Sequence, residues 1–302
     1  MQEQNGTIWV DGRQENWADV RLPLMSDALL RGLSAFDGMV ARRQPGGGLA
    51  LLAPGRHLRR LQRTCAVLNL PLEEEYEQLL KGCLVAAGIE AEGHPECEVY
   101  VRPMVVGARL TERASAASVT VAAFRQPPAG ADPAPVTLTT SSWRRPSGDS
   151  MPPSLKVVGN YQLTRLARLE AKEAGFDDAL LLNSAGRVAE GAGAAIVMER
   201  DGRLVTPPVW EDCLDSVTIA LLETLAAAEG IPFERAPVLR TDALSADGMV
   251  LAGTLADLVP VRRLDHREFG LEPPLLTRLR HRYLAASRGG EGSAALELVD
   301  VG

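Results

Sequence analysis

Between Arg125 and Pro135 the chain reads RQPPAGADPAP, four prolines in eleven residues. Each proline fixes φ near −65° and carries no N–H, so this stretch is neither a helix interior nor a central strand. It divides the chain, and at 302 residues, close to the upper limit for a single core, a division into two domains is expected. The predicted organisation is a small α/β domain over residues 1–125, an interdomain loop over 126–136, and a larger domain over 137–302.

On the N-terminal side, TIWVDGRQENW reads as a hairpin around an Asp-Gly turn. PGRHLRRLQRTCAVLNL places Leu58, Leu61, Cys65 and Leu68 at helical spacing, and EEEYEQLLKGCLVAAG is a second helix that Gly88 is expected to stop. ECEVYVRPMVVG and ASVTVAAF are strands. Beyond the prolines come the strand VTLTTSSW, a helix over 160–174, and ALLLNSAGRVAEGAGAAIVMERDGRLVTP, whose Asn-Ser-Ala-Gly and Arg-Asp-Gly turns suggest an antiparallel meander. SVTIALLETLAAAEG is a helix with Val217, Leu221, Thr224, Leu225 and Ala228 on one face and Gly230 as its stop. Strands PFERAPV, GMVLAGT and DLVPVRRL, the helix PLLTRLRHRYLAASR and a partly ordered tail, SRGGEGSAALELVDVG, finish the chain. Strands and helices mix without strict βαβ alternation, so the class is α+β.

Bulk properties exclude several functions. The net charge is −7 and the arginines form no stripe, which argues against nucleic acid. No apolar run approaches the roughly 20 residues that span a bilayer. The start, MQEQNGTIWVDG, has neither a basic nor an apolar signal region, so a cytoplasmic location is expected. The four cysteines show no C-x-x-C pair and the four histidines are dispersed, so neither a disulfide framework nor a metal site is expected.

Chemistry enters at SLKVVGNYQLTRL. Only three of the 32 basic residues are lysine: Lys81, Lys156 and Lys172. Lysine can lose its proton and attack a carbonyl, which a guanidinium cannot. Lys81 and Lys172 read as solvated-face residues. Lys156, just before a Gly-Asn-Tyr turn, is either a strand-end surface lysine or a Schiff-base amine. Asn160 can cap the following helix, and Tyr161 lies five residues on, in reach of a hydroxyl on whatever Lys156 holds. Glu190 in RVAEGAGAA is a carboxylate among small residues that let a flat ligand approach, suited to a protonated ring nitrogen. LDSVT opens a helix whose amides, with Ser216 and Thr218, form a phosphate cup. LAGTLAD offers a second Gly-Thr turn, and RHLRRLQR an arginine for the same phosphate. Together these parts read as a pyridoxal phosphate (PLP) site.

SDALLRGLSAFDG, RHLRRL, YVRPM, SSW, KVVGNY, EAKEAGFDDALLLNSAGRVAEGAG, DGRLVTPP, SVT and LAGTLADLVPVR, in this order from about Ile8 to Phe269, resemble the class IV PLP-dependent aminotransferases, most closely the branched-chain amino acid enzymes. The resemblance implies a two-domain fold type IV architecture, with a larger domain built on an antiparallel meander or pseudo-barrel flanked by helices, in a homodimer or larger oligomer. It implies that Lys156 tethers the cofactor and carries the proton, that Tyr161 bonds the ring hydroxyl, and that Glu190 holds the ring nitrogen protonated. Arg60, Ser216, Val217, Thr218 and Thr254 would bind the phosphate. Phe36, Tyr100, Arg102 and Leu255 fall at substrate positions, Arg102 facing the distal carboxylate of glutamate and the Thr254-Leu255 backbone the α-carboxylate. The implied reaction is ping-pong transfer from an amino acid, branched-chain or otherwise apolar and of L configuration, to 2-oxoglutarate.

The chain also departs from the family. Arg31 stands where an aromatic is usual, Asp37 where Glu is usual, and Val40 where Arg is common. Ala194-Ala195 replaces Glu-Asn, Asp215–Ile219 replaces Pro-Gly-Ile-Thr-Arg, and the interdomain loop lacks aromatics. These changes leave the aminodeoxychorismate lyases and the D-amino acid or (R)-amine transaminases as alternatives on the same scaffold, together with a non-catalytic cofactor-binding relative. Retention of Lys156, Tyr161 and Glu190 argues against the last.

Overall fold

The computed structural model describes residues 7–108, 117–128 and 133–302. Residues 129–132 of the proline-rich segment lie outside the described residues.

The first sheet contains β1 (Thr7–Val10), β2 (Arg13–Asn16), β3 (Ser34–Phe36), β4 (Met39–Arg43), β5 (Leu49–Leu52), β6 (Glu98–Gly107) and β7 (Ala117–Gln126). Helix α1 (Asp27–Arg31) precedes β3, and α2 (Pro54–Val67) and α3 (Tyr76–Ala91) connect β5 to β6. All its pairings are antiparallel. Asp11 and Gly12 both take positive φ, as a two-residue hairpin turn between right-twisted strands requires. The alternation of β6 decides what faces what. Val99, Val101 and Val105 point into a core with Leu58, Leu61, Leu79 and Cys83 of the two long helices. Glu98, Tyr100 and Arg102 therefore stand on the opposite face, toward the second sheet.

The second sheet contains β8 (Val136–Arg144), β9 (Asp178–Leu182), β10 (Val188–Gly191), β11 (Ala195–Arg200), β12 (Arg203–Thr206), β13 (Phe233–Arg235), β14 (Gly248–Gly253), β15 (Asp257–Leu264) and β16 (Arg267–Glu268). Its order is β10-β9-β8-β15-β14-β11-β12-β13, with β16 on β15. The expected meander is present as the hairpins β9–β10 and β11–β12, the latter closed by Asp201-Gly202. Between them the chain leaves β10 and crosses to β11, which pairs with β14, and β8 pairs in parallel with both β9 and β15. The result is a mixed, curled sheet. Helix α4 (Tyr161–Glu173) covers β8 and β9 through Ala167 and Ala171, while α5 (Val217–Ala228) and α7 (Pro274–Ser287) cover β11 and β14; α6 (Arg240–Leu244) precedes β14.

Four local expectations are corrected. Helix α3 runs through Gly88 to Ala91. A helical glycine costs about 1 kcal/mol relative to alanine, and the buried Ala86 and Ala87 and the packing of Ala91 and Val301 on the same core offset it. The C-terminal tail is ordered: Leu296 is buried in the α5–α7 core and β17 (Leu298–Asp300) returns to pair with β5. On α5, Thr224 and Ala228 face solvent, and the buried face is Val217, Thr218, Leu221, Leu222 and Leu225. Asn160 is not a side-chain cap. Its Nδ2 donates to the carbonyls of Pro152 and Leu155, 3.1 and 3.2 Å away, and so fixes the loop that delivers Lys156.

Candidate active site

Between the sheets lies a cavity of about 430 Å³, lined by the twelve residues that the resemblance assigned to cofactor and substrate: Phe36, Arg60, Tyr100, Arg102, Lys156, Tyr161, Glu190, Ser216, Val217, Thr218, Thr254 and Leu255. They arrive from eight different elements or loops, which is why no single motif describes the site.

Lys156 follows the loop pinned by Asn160, and its carbonyl accepts a bond from the Phe36 amide, 3.1 Å. Its Nζ donates to Tyr161 Oη at 2.8 Å and lies 5.0 Å from the centre of the Phe36 ring. Burial lowers its pKa to about 8, assisted by the charge of Arg60. Tyr161, packed edge-on against Phe36, has its phenol pushed up to about 12 by burial, with Glu190 adding to the effect, and stays protonated.

Glu190 ends β10, where a register shift after Val188 turns the strand. Its carboxylate accepts from Arg145 Nη2 at 2.9 Å and from the Leu214 amide at 3.2 Å. Burial raises its pKa and Arg145 opposes that rise. Arg145 is itself buried, with Nε donating to the Asp212 carbonyl at 3.2 Å. Sequence reading missed Arg145; the only signal was its place at the end of SSWRR.

Arg60 sits on the inner face of α2. Its Nε and Nη2 donate to the two oxygens of Asp37 at 2.9 and 2.8 Å, and its Nη1 to the Asp215 carbonyl at 2.7 Å. Asp37 also accepts from its neighbour's amide, Gly38, at 2.7 Å and meets His57 Nδ1 at 2.7 Å. A carboxylate can only accept, so the His57 proton sits on Nδ1. Burial works against the Asp37 charge, but Arg60 and His57 hold its pKa well below the usual carboxylate range. Burial lowers the His57 pKa as well, so the ring is neutral. The His57–Asp37–Arg60 cluster was also missed: His57 and Arg60 share a helix face, but nothing in the sequence pairs them with Asp37.

Ser216 caps α5, its Oγ accepting from the Ile219 amide at 3.3 Å. The first-turn amides of Val217 and Thr218 have no acceptor within the helix and line the cavity. Across the cavity, Arg102 lies 5.2 Å from the Phe36 ring centre and 5.3 Å from that of Tyr100, with Nε donating to Tyr100 Oη at 3.3 Å. Gly38 makes room for this cluster, because a Cβ there would fall 2.0 Å from Tyr100 Oη. Among the described residues Arg102 has no carboxylate partner; its contacts are the two aromatic rings and the Tyr100 hydroxyl. Lys81 and Lys172 are exposed, away from the cavity.

A two-layer fold with a lysine, a buried carboxylate and a helix N-terminus around one cavity defines a class. The chain belongs to the class IV aminotransferases, whose family profile, Amino-transferase class IV, matches residues 34–264. It is a PLP-dependent aminotransferase. In sequence it is 30% identical over 280 residues to a probable branched-chain-amino-acid aminotransferase of Synechocystis, covering 90% of each chain. In structure it is similar to the branched-chain aminotransferase of Thermoproteus uzoniensis with norvaline, at a TM-score of 0.90 and 27% identity over 98% of this chain and 99% of that one. It is similar too to a T.th. branched-chain amino acid aminotransferase complexed with N-(5′-phosphopyridoxyl)-L-glutamate, at 0.89 and 28% identity over 99% of both chains.

The donor set fits the cofactor. An amine whose pKa is near 8 can be neutral, a buried carboxylate suits a protonated ring nitrogen, and free helix amides beside a guanidinium suit a phosphate. Among the described residues no helix is long and apolar enough to cross a membrane.

Proposed function

We propose that this aminotransferase moves the amino group of an apolar L-amino acid, branched-chain by preference, to 2-oxoglutarate, acting as a cytoplasmic homodimer or larger assembly of two-domain subunits joined through residues 126–136. The observation that carries the substrate reading is Arg102. A cation with no carboxylate partner among the described residues, resting on two aromatic faces in the cavity, complements the second carboxylate of glutamate or 2-oxoglutarate. The same faces, with Leu155 and Leu255, offer apolar contact to a donor that has no second carboxylate. The glutamate adduct and the norvaline of the two similar structures are ligands of just these two kinds.

Bound PLP supplies an electron sink for the bonds at the substrate's α-carbon. Lys156 would tether it, and its amine is the group placed to take a proton from the substrate's α-carbon and return it. Tyr161 orients that amine and reaches the ring hydroxyl. Glu190, whose charge Arg145 favours against burial, would hold the ring nitrogen protonated. Arg60 and the amides of Val217 and Thr218, with the hydroxyls of Ser216, Thr218 and Thr254, take the phosphate. The backbone of Thr254-Leu255 takes the α-carboxylate.

The run Ala192-Gly193-Ala194-Ala195 on the cavity wall favours a second reading, since its small side chains leave room for a ring-bearing substrate such as that of an aminodeoxychorismate lyase. One experiment separates the readings: single amino acids are added to the PLP-loaded protein, the cofactor absorbance is followed, and the keto product identified. Conversion with L-leucine, L-isoleucine and L-glutamate is the expected result. Conversion confined to D-amino acids or amines, or pyruvate release from aminodeoxychorismate, overturns it.

A further inference from the structure

The turn Thr254–Ala256, which joins β14 to β15, is a thin partition with a cavity on each side. One face belongs to the candidate active site. The other lines a second cavity of about 250 Å³, together with Val40, Arg42, Glu98 and Leu284. Leu255, at the tip, is 58% exposed, so no packed core fixes the attitude of this turn.

What does hold it is at its base. Gly253 and Asp257 form the last pair of the hairpin, and Asp257 takes φ 49°, in the left-handed region that a side chain disfavours. The Asp257 carboxylate is bound by Arg42 Nη2. Arg42 belongs to β4 of the first sheet, is 1% exposed, and has its Nη1 3.8 Å from Glu98 and its guanidinium 6.0 Å from the Tyr283 ring centre. The alternation that turns Tyr100 and Arg102 toward the active-site cavity turns Arg42 and Glu98 toward the neighbouring one. The partition is therefore moored to the opposite sheet by one buried ion pair.

Such a pair is a poor device for stability alone, because taking both charges out of water costs as much as their attraction returns, and an apolar pair of similar volume holds a fold equally well. It does give direction: a guanidinium and a carboxylate meet in a restricted geometry, as two apolar groups do not. Among the described residues, the cavity behind the turn leaves it room to move when the pair is lost.

We infer that Arg42 and Asp257 are positioning residues, which hold the Thr254-Leu255 backbone in the attitude that receives a substrate's α-carboxylate. This rests on the proposed role of that backbone, and the test keeps the two apart. The PLP-loaded protein is assayed with L-leucine and with 3-methylbutylamine, the same molecule without its carboxylate, and the ratio of kcat/KM measures recognition of that group. The informative variant is Arg42→Met with Asp257→Gly. It removes both charges of the pair, Glu98 keeps Arg288 Nη2 at 3.3 Å, and glycine is at ease at φ 49°.

Expected are an unchanged melting temperature within a few degrees, retained PLP binding, a KM for leucine and for 2-oxoglutarate raised together by at least tenfold with kcat changed less than threefold, and a ratio reduced by the same factor. A folded double variant with wild-type KM values and ratio overturns the inference. If the wild type itself does not distinguish leucine from the amine, the assignment of the Thr254-Leu255 backbone fails first, and the inference with it. Should the double variant not fold, Asp257→Asn decides. It fits the left-handed backbone and exchanges the ion pair for a hydrogen bond from the Arg42 guanidinium to an uncharged amide oxygen, so a ratio reduced at least threefold supports the mooring and an unchanged ratio overturns it.

Discussion

At the scale of single residues the site is a set of charges kept in unusual states by their neighbours. Lys156 must be neutral to attack a carbonyl, and with its pKa near 8 the neutral fraction rises as pH passes through that value. Covalent capture of PLP by the apoprotein at saturating cofactor should accordingly be half-maximal near pH 8 and flat above it. Arg60→Gln, by removing a nearby cation, should move the midpoint upward, though only partly, since burial is the larger cause. A midpoint near 10.5, the value of a free lysine, contradicts this.

Glu190 gives the complementary case. Arg145→Met leaves a buried carboxylate without its cation, a loss of about 3–5 kcal/mol where such a group stays charged. Because burial raises the folded pKa of Glu190, lowering the pH protonates it in the folded state before the unfolded one and removes the cost. The melting-temperature deficit of the variant relative to wild type should therefore be largest at neutral pH and shrink toward acid. A deficit independent of pH would falsify the pairing as its source. Lys156 was legible because lysine is rare in this chain, whereas Arg145 was not, because its partner lies 45 positions away in sequence and arginine is its commonest cation.

Elements were legible where the backbone itself demands a residue type. Asp11-Gly12 and Asp201-Gly202 are two-residue turns that need positive φ twice, and both were readable in advance. Gly88 looked like a stop but is overridden by packing, and the tail looked loose because its one buried large apolar side chain, Leu296, joins a core that α7 shares with α5, a helix distant in sequence. Gly38 shows what spacing alone hides. Its φ is unremarkable, but the tyrosine hydroxyl of the adjacent strand occupies the place of a Cβ. Gly38→Ala should push Tyr100 and, through it, Arg102 out of position. Overpacking of this kind costs about 1–3 kcal/mol of stability. The functional mark should be a KM for 2-oxoglutarate raised more than tenfold, with a smaller change for leucine, which has no second carboxylate. Equal changes for the two substrates would show that the effect is not transmitted through Arg102.

For the whole molecule, the two sheets face each other across the cavity and Arg60 is bonded to both sides, to Asp37 at the end of β3 and to the Asp215 carbonyl before α5. The return of β17 to the first sheet was not legible, since its pairing of Val299 with Leu51 joins segments far apart in the chain that no local pattern relates. One surface stays incomplete. Leu24 is 79% exposed and Met25 62%, with Leu22, Leu29 and Leu30 also open, on the segment that ends at Gly32 against Gly159. Met151, Val158 and Tyr161 continue the exposed apolar surface from there to the rim of the cavity. A run of large apolar side chains beside a catalytic lysine is what a second copy of the chain would cover, completing one wall of the cavity as it does so. Light scattering of the purified protein should give at least twice the mass of the chain, and Leu24→Glu with Leu29→Glu, which places four charges in a two-fold interface, should give a monomer. Since Tyr161 borders that surface, dissociation should also lower kcat/KM for leucine at least tenfold while the cofactor's absorbance persists. A wild-type protein that is monomeric and fully active removes the second copy from the reading altogether.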